Sequence, residues 1–428
     1  MKILNNKQDA IQELKRISTR TNSENNNKIN AIVEEILQEV KTYGDIAVEK
    51  YTKKFDGFNP NPMQVSANDL KDAWDEIDGN LKRSLELAHK RIKKFHEKEI
   101  PSSFTLEGEH GDTVQRRWKP VKNAGIYIPG GRAAYPSTVL MNSIPAKVAG
   151  VQEIIMVSPG NREGTINKTV LAAAHLSGIN KVFRIGGAQA IGALAFGTNQ
   201  IDKVDVISGP GNIYVTTAKK LIYGSTGIDS LAGPSEILII ADETAQSTHI
   251  ASDLLAQAEH DPLASSILLT TSMEQAKKVL EELYKKIDDH PRKEICMQSI
   301  KNWGLIVICE NYDSCIELSN DFAPEHLEIL TFDPKKILEG IDNAGAIFLG
   351  NWTPEAVGDY LAGPNHTLPT SGNSRFSGSL GVETFMKNTS IIEFTEESLR
   401  VNSLDIINLA KSEGLHSHAN SVQIRFQD

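Results

Sequence analysis

Gln257 and His260, in the run Ala256-Gln257-Ala258-Glu259-His260, set an amide oxygen and an imidazole nitrogen three residues apart near the end of an apolar stretch. On a helix that spacing puts both on one face, aimed at a common point. Two further segments carry related chemistry. Ala323-Pro324-Glu325-His326 supplies a carboxylate beside an imidazole, and Gly358-Asp359 with Pro364-Asn365-His366 supplies another such pair. Asp359, His366 and His418 offer the remaining nitrogen and oxygen donors that a borderline metal such as zinc accepts. The bland reading of Gln257 and His260 is a hydrogen-bonding arrangement at a helix end, closed by Asp261-Pro262. Glu325-His326 fits the acid/base demands of alcohol and aldehyde oxidation, provided a turn or helix start brings the two side chains together. A surface pair fits the local sequence equally.

The elements that must position these residues are of two kinds. Residues 1–110 read as helices: Ile32, Val33, Ile36, Leu37 and Val40 form a stripe at helical spacing, and Ser66 with Asp69 resembles a capping box. His89 and His96, one heptad apart on a Lys-rich helix, read as solvated. From about 121 short apolar runs alternate with helical stretches. Strands are expected at 125–128, 154–157, 181–185 and 204–207, and a second series at 237–240, 267–270, 305–308, 327–330 and 346–349. This rhythm predicts an α/β fold of two tandem doubly wound, Rossmann-like parallel-sheet domains. The expected division is an N-terminal helical segment (1–110) packing on the second α/β domain, a first α/β domain (111–231), a second (232–378) and a small helical tail (379–428). Within the tail, 396–415 read as one helix and 415–420 as polar chain.

Glycine-rich turns follow the first-series strands at Pro129-Gly130-Gly131, Gly186-Gly187-Ala188-Gln189 and Ser208-Gly209-Pro210-Gly211-Asn212. Such turns let a backbone approach a dinucleotide phosphate. None is a GxGxxG, and tight βα turns use glycine anyway.

Composition narrows the function classes. The chain has 428 residues, 23% of them charged, and no apolar run near the roughly 20 residues that cross a bilayer; no membrane partner is expected. A net charge of −10 argues against nucleic acid, whose phosphates are held by clustered Lys and Arg. The first residues lack the apolar core of a secretory signal. Cys296, Cys309 and Cys315 form neither a disulfide framework nor paired metal spacing, which suits a reducing cytoplasm. None is flanked as a reactive thiolate would be. An aldehyde dehydrogenase with a cysteine nucleophile therefore lacks its nucleophile, and a non-catalytic two-lobed binding protein leaves Glu325-His326 without purpose.

Taken together, these segments resemble the histidinol dehydrogenase family over nearly the whole chain. The resemblance is most specific from Ile228-Asp229 through Ala232-Gly233-Pro234-Ser235-Glu236-Ile237 to Asp253-Leu254-Leu255 and Gln257-Ala258-Glu259-His260. It implies one zinc per subunit on Gln257, His260, Asp359 and His418, and a catalytic pair at Glu325 and His326. Substrate contacts are implied at Ser235, His366 and Glu413, together with the zinc ligands and the catalytic pair. NAD contacts are implied at Tyr127, Gln189 and Asn212. It further implies oxidation of L-histidinol to L-histidine through the aldehyde with two NAD, the final steps of histidine biosynthesis. The implied assembly is a homodimer whose tail completes the partner's site.

Overall fold

Each apolar run expected to be a strand between 121 and 349 forms one in the computed structural model, which describes residues 1–20, 26–130 and 134–427. In chain order the strands are β1 (Lys2–Leu4), β2 (Phe104–Glu107), β3 (Thr113–Pro120), β4 (Asn123–Tyr127), β5 (Glu153–Val157), β6 (Lys181–Phe183) and β7 (Val206–Ser208). There follow β8 (Gly227–Ile228), β9 (Glu236–Ala241), β10 (Ser265–Thr270), β11 (Gly304–Ile308), β12 (His326–Leu330), β13 (Ala346–Leu349) and β14 (Met386–Glu393).

Two of the three sheets are wholly parallel. The first has the order β6-β5-β4-β7-β8, and the second β1-β11-β10-β9-β12-β13. Counting each series from its own first strand, both read 3-2-1-4-5, with β1 added at an edge of the second. This is a doubly wound unit built twice, although the sequence shows no repeat. Chain order reverses between β4 and β7 in one sheet and between β9 and β12 in the other, the places where such folds open crevices. Ile237, Leu238, Ile239 and Ile240 are fully buried. At about 1.5–3 kcal/mol for each such side chain, a shift of register that exposed them would be costly.

The helical stretches cover these sheets, but the N-terminal segment divides its packing instead of resting on the second domain alone. Ala10, Leu14 and Ile17 of the helix Lys7–Ser18 enter the second sheet's core with Leu238 and Ile267. Val33, Ile36, Leu37, Val40 and Tyr51 pack with Ile155, Phe183 and Ile191 of the first. The cause is β1, which pairs with β11 and holds the helix after it on that sheet, leaving the next helices to cover the other. The expected capping box is present: Ser66 and Asp69 exchange hydrogen bonds at the start of Ala67–Glu76.

Three expectations change. Residues 1–110 contain two strands, β1 and β2. A third sheet, β14-β3-β2, is antiparallel and pairs Thr113–Pro120 with Met386–Glu393 in continuous register. The polar chain after 415 is a helix, His416–Gln423. Residues 100–121 and 386–428 form one compact unit, and 1–99 with 122–385 another. The antiparallel strands escaped notice because they are short or polar, and β3 and β14 specify each other across some two-thirds of the chain.

Candidate active site

The amino ends of β9 and β12 hold the acid/base pair. Glu236, the first residue of β9, lies beside Glu325 and His326 because β12 pairs with β9 in the register His326↔Ile237. The Glu236 backbone N–H donates to Glu325 Oε2 at 2.8 Å, and its carbonyl oxygen lies 3.0 Å from His326 Nδ1. A carbonyl can only accept, so Nδ1 carries the proton and Nε2 keeps its lone pair. Nε2 has no hydrogen-bond partner among the described residues. The backbone N–H and C=O of one residue, Glu236, thus bind both side chains, and the pair need not point to opposite sides of an extended strand.

Glu236 is itself anchored by Arg20, 2.8 Å away with both side chains fully buried. Burial raises the Glu236 carboxyl and the Arg20 guanidinium opposes it. Burial also lowers the His326 imidazole to about 4, so that it is neutral at physiological pH. The Glu325 carboxyl is held well above its ordinary range by burial and then by the charge of Glu236. A buried neutral imidazole with a free nitrogen is a general base in waiting.

Gln257 is fully buried in the last turn of the helix Ser247–Ala258. His260 falls just beyond, in the turn, and is exposed, so the two do not share a regular helical face as the spacing suggested. The helix ends earlier than Asp261-Pro262 requires, and the turn redirects the imidazole. Asp359 comes from the short helix Glu355–Tyr360. One ligand atom from each of His260, Asp359 and Glu355 lies within 4.8 Å of the others. Glu355 was not singled out in the sequence, although it precedes Asp359 by four residues and so shares its helical face. Its oxygens lie 2.9 and 3.0 Å from the Gln257 amide nitrogen when that nitrogen faces them, and burial, then the charge of Asp359, holds its carboxyl well above the ordinary range. Oε1 also lies 3.4 Å from His326 Nδ1.

The half-buried His366 joins this group. Its Nδ1 is 3.1 Å from the Asp359 carbonyl oxygen and 3.7 Å from the carboxylate, and its Nε2 is 3.5 Å from Thr138 Oγ1. Burial lowers its imidazole pKa. Ser235, half-buried, immediately precedes Glu236. His96 is no solvated histidine: it is fully buried, with Nδ1 2.6 Å from Glu99 Oε2 and Nε2 3.5 Å from the Asn365 amide. The heptad spacing missed this because His96 is the last residue of its helix, where the chain folds back over it.

At the first sheet's reversal point lie Tyr127, Gln189 and Asn212. Tyr127 ends β4, and its hydroxyl accepts from the Gly187 N–H at 3.2 Å; burial pushes its pKa up to about 12. Gln189 is buried, and neither amide atom has a partner among the described residues. Asn212 caps the helix Ile213–Ile222, accepting from Tyr214 and Val215. Gly209 has φ +112°, and a Cβ there would meet the Tyr127 carbonyl oxygen at 2.1 Å. Its backbone is clamped by the buried Lys219–Asp229 ion pair, Lys219 donating to its oxygen at 3.0 Å and Asp229 accepting from its nitrogen at 2.9 Å. Gly131, in the remaining glycine turn, lies outside the described residues. Glu413 and His418 are exposed residues of the smaller unit.

A sequence profile described as histidinol dehydrogenase matches residues 19–426. A histidinol dehydrogenase of Prochlorococcus marinus (strain MIT 9312) is 91% identical over 428 residues, covering all of this chain and 97% of the relative. The chain belongs to the histidinol dehydrogenase family. It is accordingly an oxidoreductase. Its fold matches a solved histidinol dehydrogenase from Elizabethkingia anophelis with a TM-score of 0.89 at 37% identity, over 93% of this chain and 92% of that one. An acetylating aldehyde dehydrogenase from Geobacillus thermoglucosidasius shares the fold more loosely, with a TM-score of 0.52 at 14% identity, over 91% of this chain and 96% of that one. That likeness concerns architecture alone. All three cysteines here are buried and free, burial raises the Cys296 thiol, and none is presented as a nucleophile. No described helix is long and apolar enough to cross a membrane.

Behind the site lies a second acidic group. Glu328 accepts from the Glu355 N–H at 2.8 Å, with Asp253 near enough for its charge to act on the Glu328 carboxyl. Burial raises Asp253 to about 6, and burial together with the charge of Asp253 raises Glu328 well above its ordinary range. Carboxyls whose folded pKa exceeds the unfolded value near 4 contribute stability below that value and lose it as pH rises through the folded pKa. In Glu328→Gln the acceptor for Glu355 is kept and one titrating group is gone. Its stability relative to wild type should therefore rise by about 1–3 kcal/mol between about pH 5 and about pH 8. Denaturant unfolding at both pH values measures this, and a difference that is unchanged with pH would rule out a raised Glu328 carboxyl.

Proposed function

We propose that the chain oxidises L-histidinol to L-histidine through the aldehyde, using two NAD and one zinc per subunit. The observation that supports this reading most is the neutral His326 imidazole, its Nε2 free, beside the cluster of His260, Glu355 and Asp359, with Gln257 packed against Glu355. Gln257, His260 and Asp359, with His418 from a second subunit, would hold zinc; an amide oxygen, imidazoles and a carboxylate suit such an ion. When bound, zinc supplies a positive centre for the substrate's nitrogens, which is orientation and not activation of water. NAD supplies the hydride acceptor, and Tyr127, Asn212 and the unpartnered Gln189 amide would contact it.

The remaining work falls to this chain's side chains. His326 Nε2 takes the proton from the substrate hydroxyl while Glu236 holds Nδ1–H. Glu325, held by the Glu236 N–H, takes a proton as its carboxylate from the water that adds to the aldehyde. Ser235 and His366 contact the substrate, and Glu413 does so from the second subunit. Keeping the aldehyde bound between steps protects a reactive intermediate.

The assembly we infer is a homodimer. Supporting it, the smaller unit leaves Ile392, Leu404 and Leu409 each about two-thirds exposed, at 68%, 66% and 66%, apolar surface that a second subunit would cover.

The test is direct. Purified protein supplied with L-histidinol, NAD and zinc should form NADH and histidine, lose turnover to a chelator and regain it with added zinc. Zinc-loaded, folded protein that forms no NADH would defeat the reading.

A further inference from the structure

We propose that Glu355 is a positioning residue that orients the Gln257 amide so that its oxygen, and not its nitrogen, faces the His260–Asp359 donors. The inference rests on the metal reading above. A primary amide presents an oxygen and a nitrogen of similar size, and a buried one can settle either way round. Only the oxygen ligates a cation. The choice must be imposed by a neighbour, and the geometry assigns that part to Glu355: both of its oxygens lie against the amide, at 2.9 and 3.0 Å from the Gln257 nitrogen when it faces them, and a carboxyl group always keeps at least one oxygen that accepts.

Glu355 is well placed to act as a fixed template. It is buried, it opens the helix that carries Asp359, and its own N–H is tied to Glu328 at 2.8 Å. Oε1 lies 3.4 Å from the protonated His326 Nδ1, so the same carboxylate faces the base as well as the ligand. Its oxygens also fall among the possible metal donors, and the affinity of Glu355→Gln combined with Gln257→Ala separates ligation from orientation. Such partners behind metal ligands commonly contribute about 10–100-fold to metal affinity.

Zinc affinity, measured on full-length protein by competition with a chromophoric chelator, tests the idea without reference to turnover. Glu355→Gln should weaken zinc binding about 10–100-fold. Added to Gln257→Ala it should cause no further loss, because the amide it orients is gone. The exchange Gln257→Glu with Glu355→Gln, which reverses donor and acceptor, should recover most of the affinity. Wild-type affinity in Glu355→Gln, or a full additional loss in the Gln257→Ala background, would overturn the proposal, the latter by making Glu355 a ligand itself. Should Glu355→Gln not fold, the exchange variant carries the test: affinity no better than that of Gln257→Ala overturns it. The metal reading is judged separately, since it fails if His260→Ala binds zinc as tightly as wild type.

Discussion

His326→Ala is expected to lower histidinol oxidation by about 10²–10⁴-fold, the usual contribution of a positioned general base, while Glu325→Gln spares the first hydride step more than the second. The argument is geometric. His326 presents an unpartnered Nε2, its other nitrogen is held by the Glu236 carbonyl, and its neutral form prevails because burial lowers its pKa to about 4. Loss of the ring removes the acceptor arranged for the hydroxyl proton. Glu325 is needed when water must be deprotonated, so its amide variant should oxidise supplied histidinal poorly. Single-turnover NADH formation from histidinol and from histidinal separates the two steps. Equal losses on both substrates in both variants would contradict the division of labour and make the pair one coupled unit.

The second large effect concerns the tail. If His418 and Glu413 complete the partner's site, a subunit carrying His418→Ala and one carrying His260→Ala are each inactive as homodimers. In the mixed dimer one site inherits both lesions and the other neither. Mixing two inactive proteins under conditions of subunit exchange should then restore up to about half the wild-type activity per mixed dimer. The zinc content of the mixture should rise in parallel. Verified mixed dimers without activity would show that His418 serves its own chain.

Much of the fold is legible in the residues because strands buried on both faces must be apolar throughout. Glu236–Ala241, Ser265–Thr270 and Gly304–Ile308 are almost completely buried, and such runs separated by helical periodicity permit little but a parallel α/β arrangement. The antiparallel sheet was not legible. Val114, Ile391 and Ile392 are among the few apolar positions in otherwise largely polar strands, and the register of β3 with β14 joins parts of the chain that carry no mutual signal.

The chemical inventory was equally a property of the sequence: residue types alone supply the donors at Gln257, His260 and Asp359 and the acid/base pair at Glu325 and His326, and the extended motif around Ala232–Glu236 carries the family. What only tertiary structure decided is how those groups act on one another. The 3-2-1-4-5 strand order lays β12 beside β9, and this alone lets the backbone of Glu236 select the tautomer of His326 through its C=O and hold Glu325 through its N–H. The turn after Ala258 sets the direction of His260. The importance of Glu355 comes from burial against Gln257 and His326, partners 98 and 29 residues away along the chain. Hydrogen-bond direction and desolvation depend on neighbours in space, and sequence spacing specifies neighbours only within an element.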